Sequence, residues 1–282
     1  MKCPNCQTNL PAGARFCFSC GAPQPQPGPP GEPPPKPCVD LSGNVEQQLA
    51  EQFLHALRKR VEEEHNAARF QAYSERLYES GFRDTVFRRS AQLAEELQAL
   101  SRQARADARR INRSVALLFE GLLDYFVIHF CKDINEVQLP EAILKFEGLE
   151  WHEINLFDMI LAHLDFEHEP EEKAYTGLLK MPVDKLKNAG KFFLFPERAE
   201  RILFICDQSL LGSCKEGFAM TEKALYWKAQ LQTARRAGYE SLQDIRREKD
   251  WLLINGHFFH ASPSLDLKML RLLRKIRLLH PL

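Results

Sequence analysis

Residues 250–260 read Asp-Trp-Leu-Leu-Ile-Asn-Gly-His-Phe-Phe-His, with the pair Asn255-Gly256 set between two apolar runs. Both central residues of a type I′ turn need positive φ, which Asn and Gly adopt at least cost. The pair therefore predicts a hairpin with strands Asp250–Ile254 and His257–His260. Upstream, short apolar bursts recur at 192–195 (FFLF), 202–205 (ILFI), 217–220 (GFAM) and 224–227 (ALYW), punctuated by Pro196, Gly212, Gly217 and Gly238. Downstream, Leu265, Met269, Leu272, Leu273, Ile276 and Leu279 return to helical spacing. Residues 191–282 thus read as a small β domain closed by one helix. The apolar set should face the sheet, leaving Lys268, Arg271, Lys275 and Arg277 as an exposed basic rim.

Ahead of this domain, residues 40–190 read as mainly α-helical. Leu49, Phe53, Leu57 and Val61 recur at helical spacing, as do Leu93, Leu97 and Leu100, and Ile111, Val115, Leu118 and Leu122. Asp40 and Ser42 offer cap oxygens near the first start, and Gly81 is a break. No proline stands between Pro37 and Pro140, so Phe82–Cys131 reads as one long helix or as two. Trp151–Phe166 reads as a further helix. Long helices with several apolar stripes pack in pairs, which predicts a homodimer or a long hairpin through this region.

Residues 22–37 hold nine prolines in sixteen positions. Proline lacks the N–H donor and fixes its own φ, so residues 22–39 form an extended linker rather than a helix or ladder. Before it lie Cys3-x-x-Cys6 and Cys17-x-x-Cys20, ten residues apart. Two such turns can aim four thiolates at one point, as a tetrahedral structural zinc requires. A module of residues 1–21 has too little core to fold alone, so ligation of one Zn2+ must supply much of its folding energy. A redox pair or an iron–sulfur centre are the rival readings. All four positions are thiolates, so no coordination position stays open to activate water.

Bulk composition narrows the function. The 282 residues are 44% hydrophobic and 27% charged, as in ordinary globular proteins. Lys plus Arg and Asp plus Glu both total 38, so any electrostatic case must be local. No secretory leader and no membrane-length apolar run is present, and the cysteines outside the ribbon look like small apolar residues of a cytoplasmic protein. Phosphate loops, dinucleotide fingerprints, nucleophile elbows and kinase motifs are absent, so no enzyme is indicated. A metal-dependent enzyme around His163–His168 (HLDFEH) would need His163 and Glu167 one helical turn apart. The competing reading is an acidic helix end, in a stretch from Lys132 to Glu172 with twelve acidic and two basic residues. Ser213 and Cys214 near Lys215 read as a turn rather than a nucleophile.

Two segments could meet nucleic acid. Arg102, Arg105 and Arg109 align on one helical face, with Arg110 and Arg113 beside it; the last helix carries Lys268, Arg271, Arg274, Lys275 and Arg277. A solvated face, or one paired with the acidic stretch inside the protein or across a dimer, is the favoured reading.

Residues 3–23, CPNCQTNLPAGARFCFSCGAP, closely resemble the short zinc ribbons that open many bacterial proteins, departing only at Gln7, where such ribbons usually carry Gly. Residues 202–228, ILFICDQSLLGSCKEGFAMTEKALYWK, resemble bacterial proteins with a compact pleckstrin-homology-like domain. That resemblance implies a strand ending at Asp207, a Gly-Ser turn, a strand through Gly217-Phe218 and a turn at Thr221. No set of lipid-contacting residues can be carried over. The chain is therefore expected to be an α+β multidomain protein and a non-enzymatic zinc-ribbon adaptor or regulatory factor with an unidentified protein partner. A nucleic-acid-associated factor using residues 102–113 and the ribbon is the alternative, and the metal-dependent enzyme is the third.

Overall fold

A computed structural model describes residues 36–102 and 107–280; Cys3, Cys6, Cys17 and Cys20 lie outside the described residues. The first helix, α1 (Val45–Glu64), is capped by Asn44, whose side chain accepts from the Gln47 N–H at 3.0 Å. Asp40 instead accepts from the backbone and hydroxyl of Ser42 and closes the preceding turn. Helix α2 (Phe70–Glu79) ends at Gly81, whose φ of +70° suits glycine. Helices α3 (Phe82–Arg102) and α4 (Ala108–Phe130) follow, so Phe82–Cys131 is two helices. Asp107 starts the second, accepting from the Arg110 N–H at 2.8 Å. Leu49, Phe53, Leu57, Tyr73, Leu97 and Phe126 are fully buried in one shared core. A single chain thus covers the stripes that suggested a dimer.

The segment after α4 is irregular. Trp151–Glu153 is a 3-10 turn, and α5 spans only Leu156–Leu164. Asn155 caps the Phe157 and Asp158 N–H groups, and Asp165 at φ +49° stops the helix. The continuous helix expected over Trp151–Phe166 is therefore divided by local side-chain caps. The segment ends in α6 (Val183–Phe192).

Strands β1 (Lys173–Tyr175), β2 (Ile202–Asp207), β3 (Gly217–Thr221), β4 (Ala224–Lys228) and β5 (Arg235–Gly238) form one antiparallel sheet in that order. Strands β6 (Ile245–Glu248), β7 (Trp251–Ile254) and β8 (His257–Phe259) form a second. Asn255 (φ +50°) and Gly256 (φ +76°) make the β7–β8 turn, pairing Ile254 with His257. Gly217 is required by close approach as well as by its φ of +143°: a Cβ there would sit 2.0 Å from the Cys206 carbonyl oxygen. The sheet unit begins ahead of residue 191. Strand β1 pairs with β2, and Phe146, Met159, Ile160 and Leu164 share the core of both sheets.

The closing helix, α7 (Pro263–Leu279), is capped by Ser262 and buried on nearly every side. Leu265, Met269, Leu272, Leu273 and Ile276 are fully buried as expected. Three of the four residues of the basic rim are not there: Lys268, Arg271 and Lys275 are only 2–3% exposed, and Arg277 alone is exposed as expected. Lys268 Nζ lies 2.7 Å from Glu169, Lys275 Nζ lies 2.7 Å from Glu147, and Arg271 meets Glu64, Glu120 and Asp124. Little of the helix meets solvent, because α4, α5, β6 and β7 pack on it, and Arg274, Arg277 and Leu278 reach its open edge. Acidic and basic blocks meet within one chain.

Leu272→Ala should cost about 2–5 kcal/mol, and Arg271→Met up to about 3–5 kcal/mol because it removes one of the cations that buried Glu64 and Asp124 share with Arg60. Against a total of roughly 5–15 kcal/mol, both should lower the melting temperature sharply, and Lys275→Glu should prevent folding. Circular dichroism melts check this; an unshifted midpoint for Lys275→Glu would return that residue to the surface.

Candidate functional site

The heart of the molecule is an ion cluster shared by three helices. Arg60 on α1 reaches Glu64 at 3.2 Å, Glu120 at 2.5 Å and Asp124 at 3.1 Å, the last two on α4. Arg271 enters from α7 and contacts the same three carboxylates. Arg274, one turn on, holds Glu63 at 2.7 Å and Glu64 at 3.4 Å. Burial penalises the Arg60 charge, but Glu120, Glu64 and Glu63 outweigh that and hold its pKa above the ordinary value. Burial drives the Glu64 carboxyl up to about 7, against the pull of Arg60 and Arg274.

Above this cluster opens a groove of about 1650 Å³ between α1, the first half of α4, β6 and the end of α7. Eight arginines and lysines line it against four carboxylates. The two basic segments read separately in the sequence converge here: Arg109, Arg110 and Arg113 come from α4, Arg274 and Arg277 from α7. The guanidinium groups of Arg109 and Arg110 are exposed and have no partner among the described residues. Arg113 bonds the Leu279 carbonyl at 3.1 Å, and Arg277 the Gln243 carbonyl at 2.6 Å. Arg246 of β6 adds a cation that no motif had drawn into the set.

The linker end is fastened beside this groove. The Asn112 amide donates to the Lys36 carbonyl at 2.9 Å and accepts from the Cys38 N–H at 2.7 Å. Gln52 of α1 donates to the Cys38 carbonyl at 2.7 Å. Asn112 itself lines the groove, so the tether leaves the folded body at its rim.

Other sequence candidates are placed differently. Arg102 ends α3 while Arg109 begins α4, so no single helix aligns them; Arg105 lies outside the described residues. His163 is buried and bonds the Met159 carbonyl at 2.8 Å. Glu167 lies past the helix end, in the 3-10 turn Phe166–His168, so the two are not one helical turn apart. His168 pairs instead with Asp165 at 2.8 Å. Among the described residues no group of three or more His, Cys, Asp or Glu could hold a metal. Cys214 is buried at φ +58°, its N–H donating to Asp207 and Ser209. Burial pushes its thiol up to about 12, the reverse of an activated nucleophile.

The ion cluster was missed in the sequence, though it left a signal. Glu120 and Asp124 interrupt the most apolar run of the chain, and Arg60 and Glu64 flank the buried stripe of α1. A charge inside an apolar stripe calls for a buried partner.

Residues 2–24 match the family model of a zinc-ribbon domain, a span that contains all four N-terminal cysteines. No curated protein and no solved structure matched the chain.

Burial lowers the His163 pKa from 6.5 to about 4, the Met159 carbonyl opposing it. The unfolded chain then binds more protons between those values, so this stability is lost as pH falls through the window, by up to roughly 3 kcal/mol at its acid end. Glu64, raised to about 7, acts in the opposite sense, and stability from its protonated form is lost as pH rises. Comparing melting temperatures at pH 7 and 4.5 for wild type and His163→Leu isolates the histidine. The variant should lose less stability in acid; equal losses would show that His163 stays neutral in both states.

Proposed function

We propose that this protein is a non-enzymatic adaptor that presents a zinc ribbon and an arginine-lined groove to a protein partner. The observation that carries the reading is the fastening of Lys36 and Cys38 to Asn112 and Gln52 at the groove rim. A Pro-rich sequence of fourteen residues such as 22–35 would span up to about 40 Å if extended, at roughly 3 Å per residue, which would bring a ribbon ahead of it within reach of the groove. Ribbon and groove can therefore engage one partner together, and joined contacts bind more tightly than either alone.

The ribbon holds one structural zinc ion through Cys3, Cys6, Cys17 and Cys20, supported by the knuckle spacing and the domain match. The C-terminal part is pleckstrin-homology-like, supported by the succession of a four-strand run β2–β5, a three-strand run β6–β8 and the closing helix α7. Cys38, Cys131, Cys206 and Cys214 are free thiols, which suits a reducing cytoplasm. No helix among the described residues is long and apolar enough to cross a membrane.

Elemental analysis should find one zinc per chain; iron, or no metal, would refute the ribbon assignment. Cys17→Ser should release the zinc while the melting transition of the remaining body stays in place. Affinity capture from the native host, with wild type against Cys17→Ser, tests the adaptor role. A protein enriched by wild type, resistant to nuclease and lost with the variant is expected. Material that disappears on nuclease treatment would favour the nucleic-acid reading instead.

A further inference from the structure

We infer that the groove between α1, α4, β6 and α7 binds an acidic segment of a partner protein, with carboxylates interleaved among apolar side chains. This rests on the adaptor reading and names the chemistry of its partner. The groove's carboxylates are already committed. Glu63 is held by Arg274, Glu120 by Arg60, Asp107 by the start of α4, and Asp244 lies 3.7 Å from Arg246. The cations are not committed to the same degree, since the guanidiniums of Arg109 and Arg110 are exposed and without a partner among the described residues. Five guanidinium donors in a rigid fork match a carboxylate bidentately. The open charge is therefore positive and suited to an anion.

Two features separate a polypeptide from a nucleic acid. The first is the groove's apolar part: Ala56 and Leu278 are partly exposed and Ala116 is exposed, over Phe119, Leu123 and Ile245 beneath. Leu or Phe side chains of a peptide can bury there, whereas a duplex presents its phosphates to such a groove and keeps its bases stacked inside. The second is the spacing of like charges. A nucleic-acid strand carries a negative charge at every residue, whereas among the described groove arginines only Arg109 and Arg110 are left open to meet it. A peptide can confine its carboxylates to the positions facing Arg109 and Arg110. Groove and ribbon tether share Asn112, so a partner holding such a segment would stay within the tether's reach of the ribbon.

Panning a displayed library of random peptides, about sixteen residues long, on the full chain tests this, with Arg109→Glu/Arg110→Glu as counter-target. Peptides retained by wild type and rejected by the double variant should be rich in Glu and Asp with interspersed Leu, Ile or Phe. The best of them, synthesised and labelled, should bind the variant at least tenfold more weakly and lose affinity with added salt. Neither arginine has a partner among the described residues, so the variant should melt as wild type does; Arg109→Gln/Arg110→Gln serves if the reversal disturbs α4. Retained peptides that ignore both variants, or that show no acidic enrichment, overturn the inference. So does a mixed-sequence twenty-nucleotide DNA that outcompetes the best peptide and is lost with the variant. Capture from the host that depends on Cys17 but not on Arg109 and Arg110 would remove this inference and leave the adaptor reading standing. Capture that depends on neither would remove both.

Discussion

Burying three cations on one helix constrains everything else in this protein. An isolated buried charge is far too costly, so each of Lys268, Arg271 and Lys275 must meet a carboxylate on the element packed against it. Glu169, the Glu64–Asp124 pair and Glu147 answer from three directions. Helix α7 thereby fixes α1, α4 and the acidic segment after α4 relative to both sheets. Apolar burial supplies the attraction, while the charge pairs select one arrangement. Sliding α7 by a turn would keep leucines against leucines but strand three cations without partners.

What could be read from the sequence follows the range of the interactions involved. The β7–β8 hairpin was legible because its turn depends only on Asn255 and Gly256. The α1 stripe and the buried face of α7 were legible because a helix places residues three and four apart on one side. The burial of Lys268, Arg271 and Lys275 was not, because cations at helical spacing look like a solvent face until their partners are known. Those partners stand 99, 207 and 128 positions away. Strand β1 escaped notice because three residues carry no periodicity; it exists through its pairing with Asp207, Cys206 and Ile205. The helix expected over Trp151–Phe166 failed for a local reason that was available, since Asn155 is a capping residue and Asp165 tolerates positive φ.

The candidate site divides the same way. The ribbon cysteines and the arginines of 109–113 are visible as motifs, because each lies in a few consecutive residues. The groove is not a motif. It exists only where the beginning of α4 passes the end of α7 and Arg246 of β6, and where Asn112 holds the incoming linker. A local reading can count the cations but cannot tell which are already neutralised. Arg113 and Arg277 are tied to carbonyl oxygens, and Arg274 to two carboxylates, while Arg109 and Arg110 have no partner among the described residues.

The place of α7 in the chain has a consequence for biosynthesis. It is the last of the described elements in chain order, yet it fills the core between α5 and both sheets and ties α1 and α4 to it by charge pairs. On the ribosome, the four-helix portion and both sheets emerge before the post that joins them exists. Glu147 and Glu169 wait for cations not yet translated, Glu64 and Asp124 have only Arg60 to share, and the apolar faces of α5 and the sheets wait for their cover. Completion of the core that α7 shares with α5 and both sheets is therefore deferred until the end of α7 has cleared the exit tunnel. During that interval the nascent chain exposes the surfaces that chaperones recognise.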